Sequence, residues 1–503
     1  MASSTIMLPG LSGGVNQRDP VHLLEPDQCI KMENVILNTQ GGAAKRLGCE
    51  YIEDFSASGS ALSAGVLYPA TGTPQFVVHT TVGEIVYSDD FGATWAVIDD
   101  AMSTSAPFSF EEYNHKLYMS NGVDDYRSWD GTTQVTYPAA PKGKYLRAHK
   151  DSMWVSGVTA YPDRVYKSVA ADPETYNAAD WVDILHGNGD VITALASDGN
   201  FLIVFKRKSI SPIYDPVTFE NRVVDPEKGC EGHFSCVLYN GQVFFLSRRG
   251  ICVFYSDQPS TYLSGNISPT FNTEVLNYNA LATAWAYAYD DRIGWCLPEL
   301  ASSVPTFQVE FYPHMEKKPW NFHRMPVNLL IPMRYQDDYF LYGPKKGSYK
   351  WYKAFASATG TDDSVAFSTK IQTGWFDLGE PGKTKYIRRL RVLGRGKFWV
   401  ILKVDFKVAT VWSSYLNLSE AGDIWEVTDD WDITETWGLG EMYSEPELHP
   451  DVYARYISVC YQDSETGTDS EAIYVGNIRT LTSVGEWAVH SIAVEPVLLG
   501  VRQ

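Results

Sequence analysis

Paired carboxylates are the residues of this sequence that could carry out hydrolysis. A glycosidase places two carboxyl groups on either side of a glycosidic bond, one as an acid and one as a base or nucleophile. Neighbouring residues of a strand point to opposite faces, however, and five adjacent Asp pairs lie in or beside predicted turns, where Asp is common. We therefore predict that these residues form turns and that none is catalytic. The pairs are Asp89-Asp90, Asp99-Asp100, Asp124-Asp125, Asp290-Asp291 and Asp337-Asp338.

Other patterns of catalysis or metal binding are missing from the sequence. It has no His-Glu-x-x-His, phosphate-binding loop or dinucleotide-binding pattern. Its seven cysteines are an odd number without a Cys-x-x-Cys, which indicates buried free thiols. Its ten histidines recur at no short spacing. The sequence predicts a protein that is not an enzyme and that has neither a metal nor a cofactor.

The stretch from Ser88 to Trp95 fits Ser-x-Asp-x-Gly-x-Thr-Trp at each fixed position and resembles the Asp-box. That resemblance implies a hairpin turn between the outer strands of a β-propeller blade. Each residue type suits such a turn, because Asp can bind backbone N–H groups, Gly can take a positive φ and Trp can pack against the blade. Residues 83–87 and 95–98 predict the flanking strands. The structural residues of this predicted box are Ser88, Asp90, Gly92, Thr94 and Trp95.

Sialidases are propellers that carry Asp-boxes, so the box also raises a glycan-cleaving function. In those enzymes the boxes lie on the periphery of the blades, away from the catalytic residues. This sequence has one box, and no arginine cluster for a sialic-acid carboxylate can be assigned in it. We therefore keep a sialidase-like or glycan-binding function as the alternative.

A short theme of an apolar strand, a tight polar turn and a second apolar strand recurs between residues 61 and 356. Successive turns are 37 to 50 residues apart, which is close to the length of a four-stranded blade. With the Asp-box hairpin, the pattern predicts an irregular propeller of about seven blades. Two ordinary β-sandwiches are the competing interpretation, but they would not account for the Asp-box. The marker residues of the repeated turns are Asn114, Asp151, Gly199, Gly241, Asp291 and Asp337.

Composition favours an all-β protein and argues against a tight grip on nucleic acid. Aromatic residues make up 14% of the 503 residues, beside 39 Gly and 26 Pro, which is typical of many short strands joined by turns. The formal net charge of -20 disfavours phosphate binding, which needs clustered Lys and Arg. No apolar run is long enough to span a membrane, and residues 1–14 lack the features of a signal peptide. We expect a soluble protein that is synthesised in the cytoplasm.

The N-terminal segment, residues 1–60, is rich in glycine and should pack on the propeller or on a neighbouring subunit. It contains Gly13-Gly14-Val15-x-Gln17, then Asn34-Val35, then Gly41-Gly42-x-x-Lys45-Arg46-x-Gly48 ahead of Tyr51. Over about the first fifty residues this combination resembles the start of the tail nozzle and tail hub proteins, or tail tubular protein B-like proteins, of short-tailed bacteriophages.

Residues 357–366 are predicted to be a linker, and residues 367–503 a separate β-sandwich of jelly-roll kind. Cleaner alternation supports the sandwich, since the even positions from Phe398 to Phe406 form one apolar face. Strands are also expected at 454–461 and 472–475. The stretch from Thr373 to Gly379, with Lys385 to Ile387, weakly resembles sandwich modules that are appended to phage tail proteins.

A concentrated basic stretch stands out in this acidic chain. It could be a solvated strand face or a nucleic-acid contact, and we favour a third interpretation, in which it meets the acidic run that follows, either within the sandwich or between neighbouring copies. The candidate inter-subunit basic face is Lys383, Lys385, Arg388, Arg389, Arg391, Arg395 and Lys397. The acidic run is Asp423, Glu426, Asp429, Asp430, Asp432, Glu435 and Glu441.

The nozzle resemblance implies a structural virion protein of the phage tail, made in the host cytoplasm. It implies a sixfold homo-oligomeric ring around a channel, attached below the portal and adaptor proteins, with tail fibre or tip proteins as further candidate partners. Double-stranded DNA would pass through the channel during ejection without specific binding, because each phosphate-neutralising Lys would add an attachment to break. No membrane insertion by this chain is expected.

Overall fold

A computed structural model of the chain describes most of its residues and separates them into two compact units. The propeller unit comprises Cys49–Glu310 and Arg324–Ala354, and the sandwich unit comprises Met1–Gly48, Phe311–His323 and Phe355–Gln503. The residues described are 6–8, 10–38, 42–255, 257–345, 347–357, 360–379, 383–395, 397–407, 410–417, 447–462 and 488–498.

Seven inner strands form the wall of the propeller axis. Each contacts the next in chain order, and the last contacts the first, so the ring is closed. The chain is therefore an all-β protein with a seven-bladed propeller, as its repeated hairpins predict. From blade 1 to blade 7 the inner strands are Ala61–Leu67, Ser109–Tyr113, Tyr145–His149, Ile192–Ser197, Cys236–Tyr239, Trp285–Tyr289 and Ile331–Tyr335.

Blades 1, 2, 3 and 5 are antiparallel meanders of four strands. From the second strand outward, blade 1 has Gln75–Thr80, Ile85–Ser88 and Ala96–Asp99. Blade 2 has Lys116–Ser120, Tyr126–Trp129 and Gln134–Tyr137. Blade 3 has Ser152–Val158, Tyr161–Val169 and Asp172–Asp183. Blade 5 has Gln242–Ser247, Gly250–Phe254 and Thr261–Tyr262.

The remaining blades depart from that plan. Blade 4 continues with Leu202–Lys206 and Ile210–Ile213, and isolated bridges from Ile210 and Ile213 take the place of a fourth strand. Blade 6 continues in this unit with Arg292–Leu297 and Phe307–Phe311. Blade 7 continues with Asp338–Pro344 and Lys350–Ser357, and its outer strand is Gly48–Asp54, which precedes blade 1 in the chain. In the described connections of this unit there are three short 3-10 helices, at His233–Ser235, Ser264–Thr270 and Leu281–Thr283.

The repeated polar turns lie between the inner and second strands of blades 2 to 7. Several have consecutive residues with positive φ, such as Asn114 at 50° and His115 at 61°. Such turns match the twist of a hairpin, and Asn, Asp and Gly tolerate them best. This preference explains why the sequence marks each blade with these residue types.

Apolar side chains of adjacent blades pack against each other and form the core. Between blades 1 and 2, for example, Leu67, Val77 and Ile85 pack with Leu117 and Met119, all of them essentially inaccessible to solvent. Burial of an aliphatic side chain is worth about 1.5–3 kcal/mol. Packing between blades therefore supplies much of the stability that no single blade could provide.

Among its described residues, the sandwich unit contains two large sheets, the appended β-sandwich predicted for the C-terminal region. One sheet has the order Glu447–Leu448, Lys385–Arg395, Ala488–Leu498, Ala43–Lys45, Val35–Leu37, with Ile6–Leu8 beside Ala488–Leu498 and Val452–Ala454 beside Lys385–Arg395. In this unit the other sheet has the order Trp320–His323, Gln28–Glu33, Lys370–Thr373, Ile457–Gln462, Lys397–Val404, Trp412–Asn417, with Gly14–Val15 beside Gln28–Glu33. Residues 472–475, where a further strand was expected, lie outside the described part of the chain.

The structure divides the chain differently from the expected boundaries. Residues 1–60 do not form one segment, because Gln28–Glu33 is a strand of the sandwich unit while Gly48–Asp54 belongs to blade 7. Within the expected linker 357–366, the short strands Thr361–Asp362 and Val365–Ala366 pair with each other. Pairing between strands far apart in sequence leaves no local signal, which is why the sequence boundaries missed it.

Arg46 organises a buried polar joint in the sandwich unit. Its guanidinium is 1% exposed and makes a bidentate ion pair with Asp362, at 2.9 and 2.6 Å. Its Nε also donates to Asn34 Oδ1 at 3.1 Å, and the group lies 3.7 Å from the centre of the Phe367 ring. Nearby, a Cβ added to Gly48 would lie 1.7 Å from the carbonyl oxygen of Thr361. The Lys-Arg-x-Gly part of the N-terminal motif therefore has a structural role.

We predict that Arg46→Ala lowers the free energy of unfolding of the sandwich unit by about 3–5 kcal/mol, because the substitution leaves the Asp362 carboxylate largely buried without its partner. Urea denaturation followed by tryptophan fluorescence would measure the change. Arg18→Ala is the matched control, since the ion pair of Arg18 with Asp19 is exposed, and its unfolding midpoint should stay at that of the parent. Equal midpoints for the two variants would contradict the role given to Arg46.

Candidate functional site

The Asp-box residues lie in the turn between the third and outer strands of blade 1. The Asp90 carboxylate accepts from the Thr94 N–H at 2.8 Å, from the Thr94 hydroxyl at 2.6 Å and from the Ser88 hydroxyl at 2.8 Å. Burial acts to raise the pKa of Asp90, but these hydrogen bonds outweigh it and lower the pKa below its ordinary value. The carboxylate therefore holds the turn in its charged form.

The same turn packs against blade 7. Gly92 has a φ of 95°, and an added Cβ would lie 2.4 Å from Cδ1 of Trp351. Trp95 donates from Nε1 to the Gly92 carbonyl at 3.0 Å, and its ring meets Trp351 edge-on at 5.2 Å. Phe55, just after the outer strand of blade 7, contacts both indoles. The box therefore contributes to the contact between the first and last blades.

The adjacent aspartate pairs serve different local purposes. Asp99 is in an ion pair with Arg127 at 2.9 Å, and Asp124 accepts from the Ser103 N–H at 2.9 Å. Asp290 and Asp337 lie in the exposed first turns of blades 6 and 7. Each pair is thus in or next to a turn of its own blade.

The basic stretch occupies two consecutive strands of the sandwich unit, Lys385–Arg395 and Lys397–Val404. Lys383 and Arg388 are exposed, and Arg389 and Lys397 are partly buried. Lys385 departs from the expected basic face, because it is 1% exposed and donates to the carbonyls of Lys383 and Arg455. Its buried ammonium is unavailable to another subunit. The side chains of Arg391 and Arg395, and the acidic run 423–441, lie outside the described residues.

The propeller unit has two chemically different faces. In an antiparallel meander of four strands, the first and third turns lie at one end and the second turn lies at the other. The first and third turns therefore gather on one face, here called the aspartate face. Its turns contain Lys150 and Arg222, but acidic residues outnumber them: Asp89, Asp90, Asp130, Asp151, Asp198, Asp215, Asp257, Asp290, Asp291, Asp337 and Asp338.

The opposite face bears the second turns of the blades, where acidic and basic residues are mixed, and the turns of blades 4 and 5 each contain two consecutive exposed bases. Arg207 and Lys208 lie in the turn of blade 4, and Arg248 and Arg249 in that of blade 5. All four side chains are exposed. We call these residues the basic turns. They oppose the aspartate face across the height of the blades.

The propeller axis contains a cavity of about 180 Å³ beside a network of polar groups. Glu111 of blade 2 pairs with Arg147 of blade 3 at 3.2 Å and accepts from the Ala148 N–H at 3.0 Å. Burial raises the pKa of Glu111 above its ordinary value despite the charge of Arg147. Because separate sheets share no strand ladder, such contacts bind one blade to the next.

His233 joins four blades at the same axis. Its Nδ1 accepts from the Leu195 N–H of blade 4 at 3.4 Å, so Nε2 carries the proton and donates to the Ser109 hydroxyl of blade 2 at 3.0 Å. Ser109 also accepts from the Leu146 N–H of blade 3 at 3.1 Å. Burial, with the charge of Arg147, lowers the pKa of His233 to about 3. The imidazole is neutral at physiological pH and is fully engaged in structure.

A second cavity, of about 420 Å³, lies at the inner strands of blades 5, 6 and 7 on the aspartate face. Its lining is mostly apolar and includes Tyr68, Leu238, Trp285 and Tyr339, with the exposed Arg334 beside them. Aromatic rings and one cation at the mouth of a concave pocket suit stacking on a small ligand. Sequence reasoning missed both cavities, because their residues come from strands far apart in the chain.

We predict that Gly92→Ala lowers the free energy of unfolding by about 1–3 kcal/mol more than Gly72→Ala. Both glycines have a positive φ, but an added Cβ meets nothing within 4 Å at Gly72. The difference therefore isolates the clash with Trp351.

Asp90→Ala should lower the free energy of unfolding by about 1–3 kcal/mol, because it leaves turn N–H donors without an acceptor. Thermal and urea denaturation would measure all three, and equal losses at the two glycines would contradict the packing assigned to the box.

We also predict that the buried His79 makes the propeller less stable in mild acid. Burial lowers its pKa to about 4, from an ordinary value of 6.5, so between these values the unfolded chain binds the proton more readily than the folded chain. Above pH 6.5 His79 is neutral in both states and does not lower the free energy of unfolding. Between pH 6.5 and pH 4 its titration lowers that free energy by about 2–3 kcal/mol. His79→Phe should therefore show a smaller loss in urea denaturation between pH 7 and pH 4.5. His22→Phe, at an exposed position, should keep the loss of the parent, and identical pH profiles for all three proteins would contradict the prediction.

Comparison with known proteins gives matches at the level of structure. No family model matches the chain, and no curated protein matches it. The chain is similar to YCF48 bound to D1 peptide, with a TM-score of 0.39 and 10% identity over 61% of this chain and 95% of that one. It is similar to the extracellular domain of BT4673 from B. thetaiotaomicron, with a TM-score of 0.44 and 9% identity over 76% of this chain and 57% of that one. It is also similar to BBS1N in complex with ARL6DN, with a TM-score of 0.42 and 12% identity over 62% of this chain and 97% of that one. At these scores and identities, none of the similarities bears on what this chain binds or does.

Proposed function

We propose that this chain is a structural subunit of the tail of a short-tailed bacteriophage, in the nozzle or hub ring below the portal and adaptor proteins. The observation that carries the proposal is the buried joint around Arg46. The residues that resemble the start of nozzle proteins are held there by an ion pair, a hydrogen bond to Asn34 and the close approach at Gly48. A motif whose residues make such specific buried contacts supports an architecture shared with nozzle proteins better than a loop-rich terminus would.

On this proposal, the path for DNA is formed between copies of the chain. Two cavities at the axis, among the described residues, have volumes of about 180 and 420 Å³, and side chains such as Glu111, Arg147 and His233 occupy the axis beside the smaller one. We therefore expect that a DNA duplex, whose major groove alone is about 12 Å wide, does not pass through the axis of one propeller. A ring of copies, six in the nozzle family, would enclose a wider channel.

The charge of the chain suits such a conduit. With a net charge of -20, the chain as a whole repels phosphate, so a duplex could slide past without breaking many attachments. The same charge weakens the association of free copies, by roughly 1 kcal/mol for each close pair of exposed like charges, so free copies should associate only at high protein concentration. We expect an adaptor ring to align the copies before they assemble, with the more distant repulsion screened by salt.

A glycan-binding role in the tail is the second candidate, and the aromatic cavity favours it. Tyr68, Trp285 and Tyr339 line that cavity, and Arg334 lies 5.5 Å from the Tyr339 ring. Sugars stack on such rings, and a cation could bind a carboxylated sugar. This candidate uses the mouth of the propeller axis, whereas the structural role uses the outer surfaces of the chain.

The structural proposal predicts that a phage with a stop codon early in the gene of this chain yields DNA-filled heads without a tail ring. Purified chain should restore both the ring, seen by electron microscopy, and infectivity. Arg46→Ala should fail to restore them because its sandwich unit is destabilised, whereas the exposed control Arg18→Ala should succeed.

Two outcomes would count against the structural proposal. Infectious, ring-bearing particles that lack the chain would contradict it outright. Retention on a glycan array, or cleavage of fluorogenic glycosides, would favour the second candidate if Tyr339→Ala abolished it. Tyr161→Ala is the control for that experiment, because Tyr161 is 50% exposed and Tyr339 is 53% exposed, and Tyr161 lies on blade 3 away from the cavity.

A further inference from the structure

The basic turns form a defined cationic surface on an acidic protein. Arg207 Nε and Arg248 Nη1 each lie 3.8 Å from a different oxygen of the Glu231 carboxylate. That carboxylate is buried, with a side-chain exposure of 4%, while the side chains of Arg207 and Arg248 are 51% and 55% exposed. One buried anion therefore holds guanidinium groups from two blades side by side at the surface.

Further contacts fix the same surface. Arg248 lies 4.9 Å from the centre of the Tyr278 ring, and the backbone N–H of Lys208 donates to the Asp190 carboxylate at 2.9 Å. Each contact with Glu231 is 3.8 Å long, and about half of each arginine side chain remains exposed to solvent. Carboxylates match guanidinium donors in shape and charge.

The aspartate face carries the matching charge. Asp290 and Asp291 in the first turn of blade 6, and Asp337 and Asp338 in that of blade 7, are all exposed. We call these four residues the aspartate turns. Blades 6 and 7 thus present four carboxylates on one face, and blades 4 and 5 present four basic side chains on the other.

A single copy cannot bring these surfaces together. They lie at opposite ends of the blades, and blade strands of five or six residues separate them by roughly 17–20 Å. The closed ring of inner strands holds the blades in place. Any contact between the two surfaces must therefore join two copies.

We propose that the basic turns of one copy dock on the aspartate turns of the next copy. The inference rests on the proposed function, since it names the contact by which copies in the tail ring recognise each other. Such a contact uses a different surface on each partner, and contacts of this kind close into rings when the rotation between copies allows it. Charge complementarity would also set the order and direction of the copies.

Zero-length carbodiimide cross-linking of the purified full chain tests the contact. At high protein concentration and physiological salt, Lys208 should form amide bonds with Asp290, Asp291, Asp337 or Asp338. Mixing chains with normal and heavy nitrogen would identify these links by mass spectrometry as bonds between copies. Absence of the links from a sample that does cross-link elsewhere between copies would overturn the proposal, whether or not the chain proves to be a tail protein.

A charge exchange provides the second test. Changing Arg207, Lys208, Arg248 and Arg249 to Glu should reduce self-association in sedimentation by about tenfold or more, and so should changing the four residues of the aspartate turns to Lys. A mixture of the two variants should recover association, because the altered faces again have opposite charge. Circular dichroism checks folding, and Arg207→Lys with Arg248→Lys keeps the charge and should retain association.

The remaining outcomes separate this contact from other roles. If the mixture does not recover association while both variants stay folded, the proposal is wrong. If the Glu variant associates normally but loses binding to duplex DNA in fluorescence anisotropy, the basic turns are a nucleic-acid contact and the proposal is again wrong. Failure of the proposed tail function would appear differently, as infectious particles that lack the chain.

Discussion

Ring closure is the constraint on which the propeller unit depends. Each blade has two apolar faces that neighbouring blades must cover, so seven blades are stable only when the last also meets the first. The strand Gly48–Asp54, which precedes blade 1, completes blade 7, and the rings of Phe55, Trp95 and Trp351 pack where these blades meet. The Asp-box lies at this closure. Its glycine and tryptophan therefore have roles that go beyond the formation of a turn.

Buried polar groups give each unit a specific arrangement. In the propeller, His233 and Ser109 connect the inner strands of separate sheets by side-chain hydrogen bonds. Apolar packing alone would leave these strands free to shift against each other. In the sandwich unit, Arg46 and Asp362 join segments more than three hundred residues apart. A buried polar group or charge left without its partner is costly, so each network favours one arrangement over near alternatives.

The sequence carried more information about local structure than about distant pairing. Repeated Asn, Asp and Gly turns predicted the seven blades, because the need for a positive φ limits residue choice at each turn. The role of Gly48–Asp54 in blade 7 was not predictable, since its partner strand lies about three hundred residues later. The cavity residues Glu111, Arg147 and His233 were missed for the same reason. Burial of Lys385 was also missed, because alternation in a strand does not reveal which face another sheet covers.

The polarity of the propeller follows from its strand count. An even number of antiparallel strands returns the chain to the same end after each blade, so turns of one kind accumulate on one face. Selection can then give that face one charge and the other face a different one without disturbing the core. Arg207 and Arg248 show the consequence, since a local cationic surface persists in a chain of net charge -20. Net charge therefore sets the average repulsion between copies, while the position of each turn decides where attraction can overcome it.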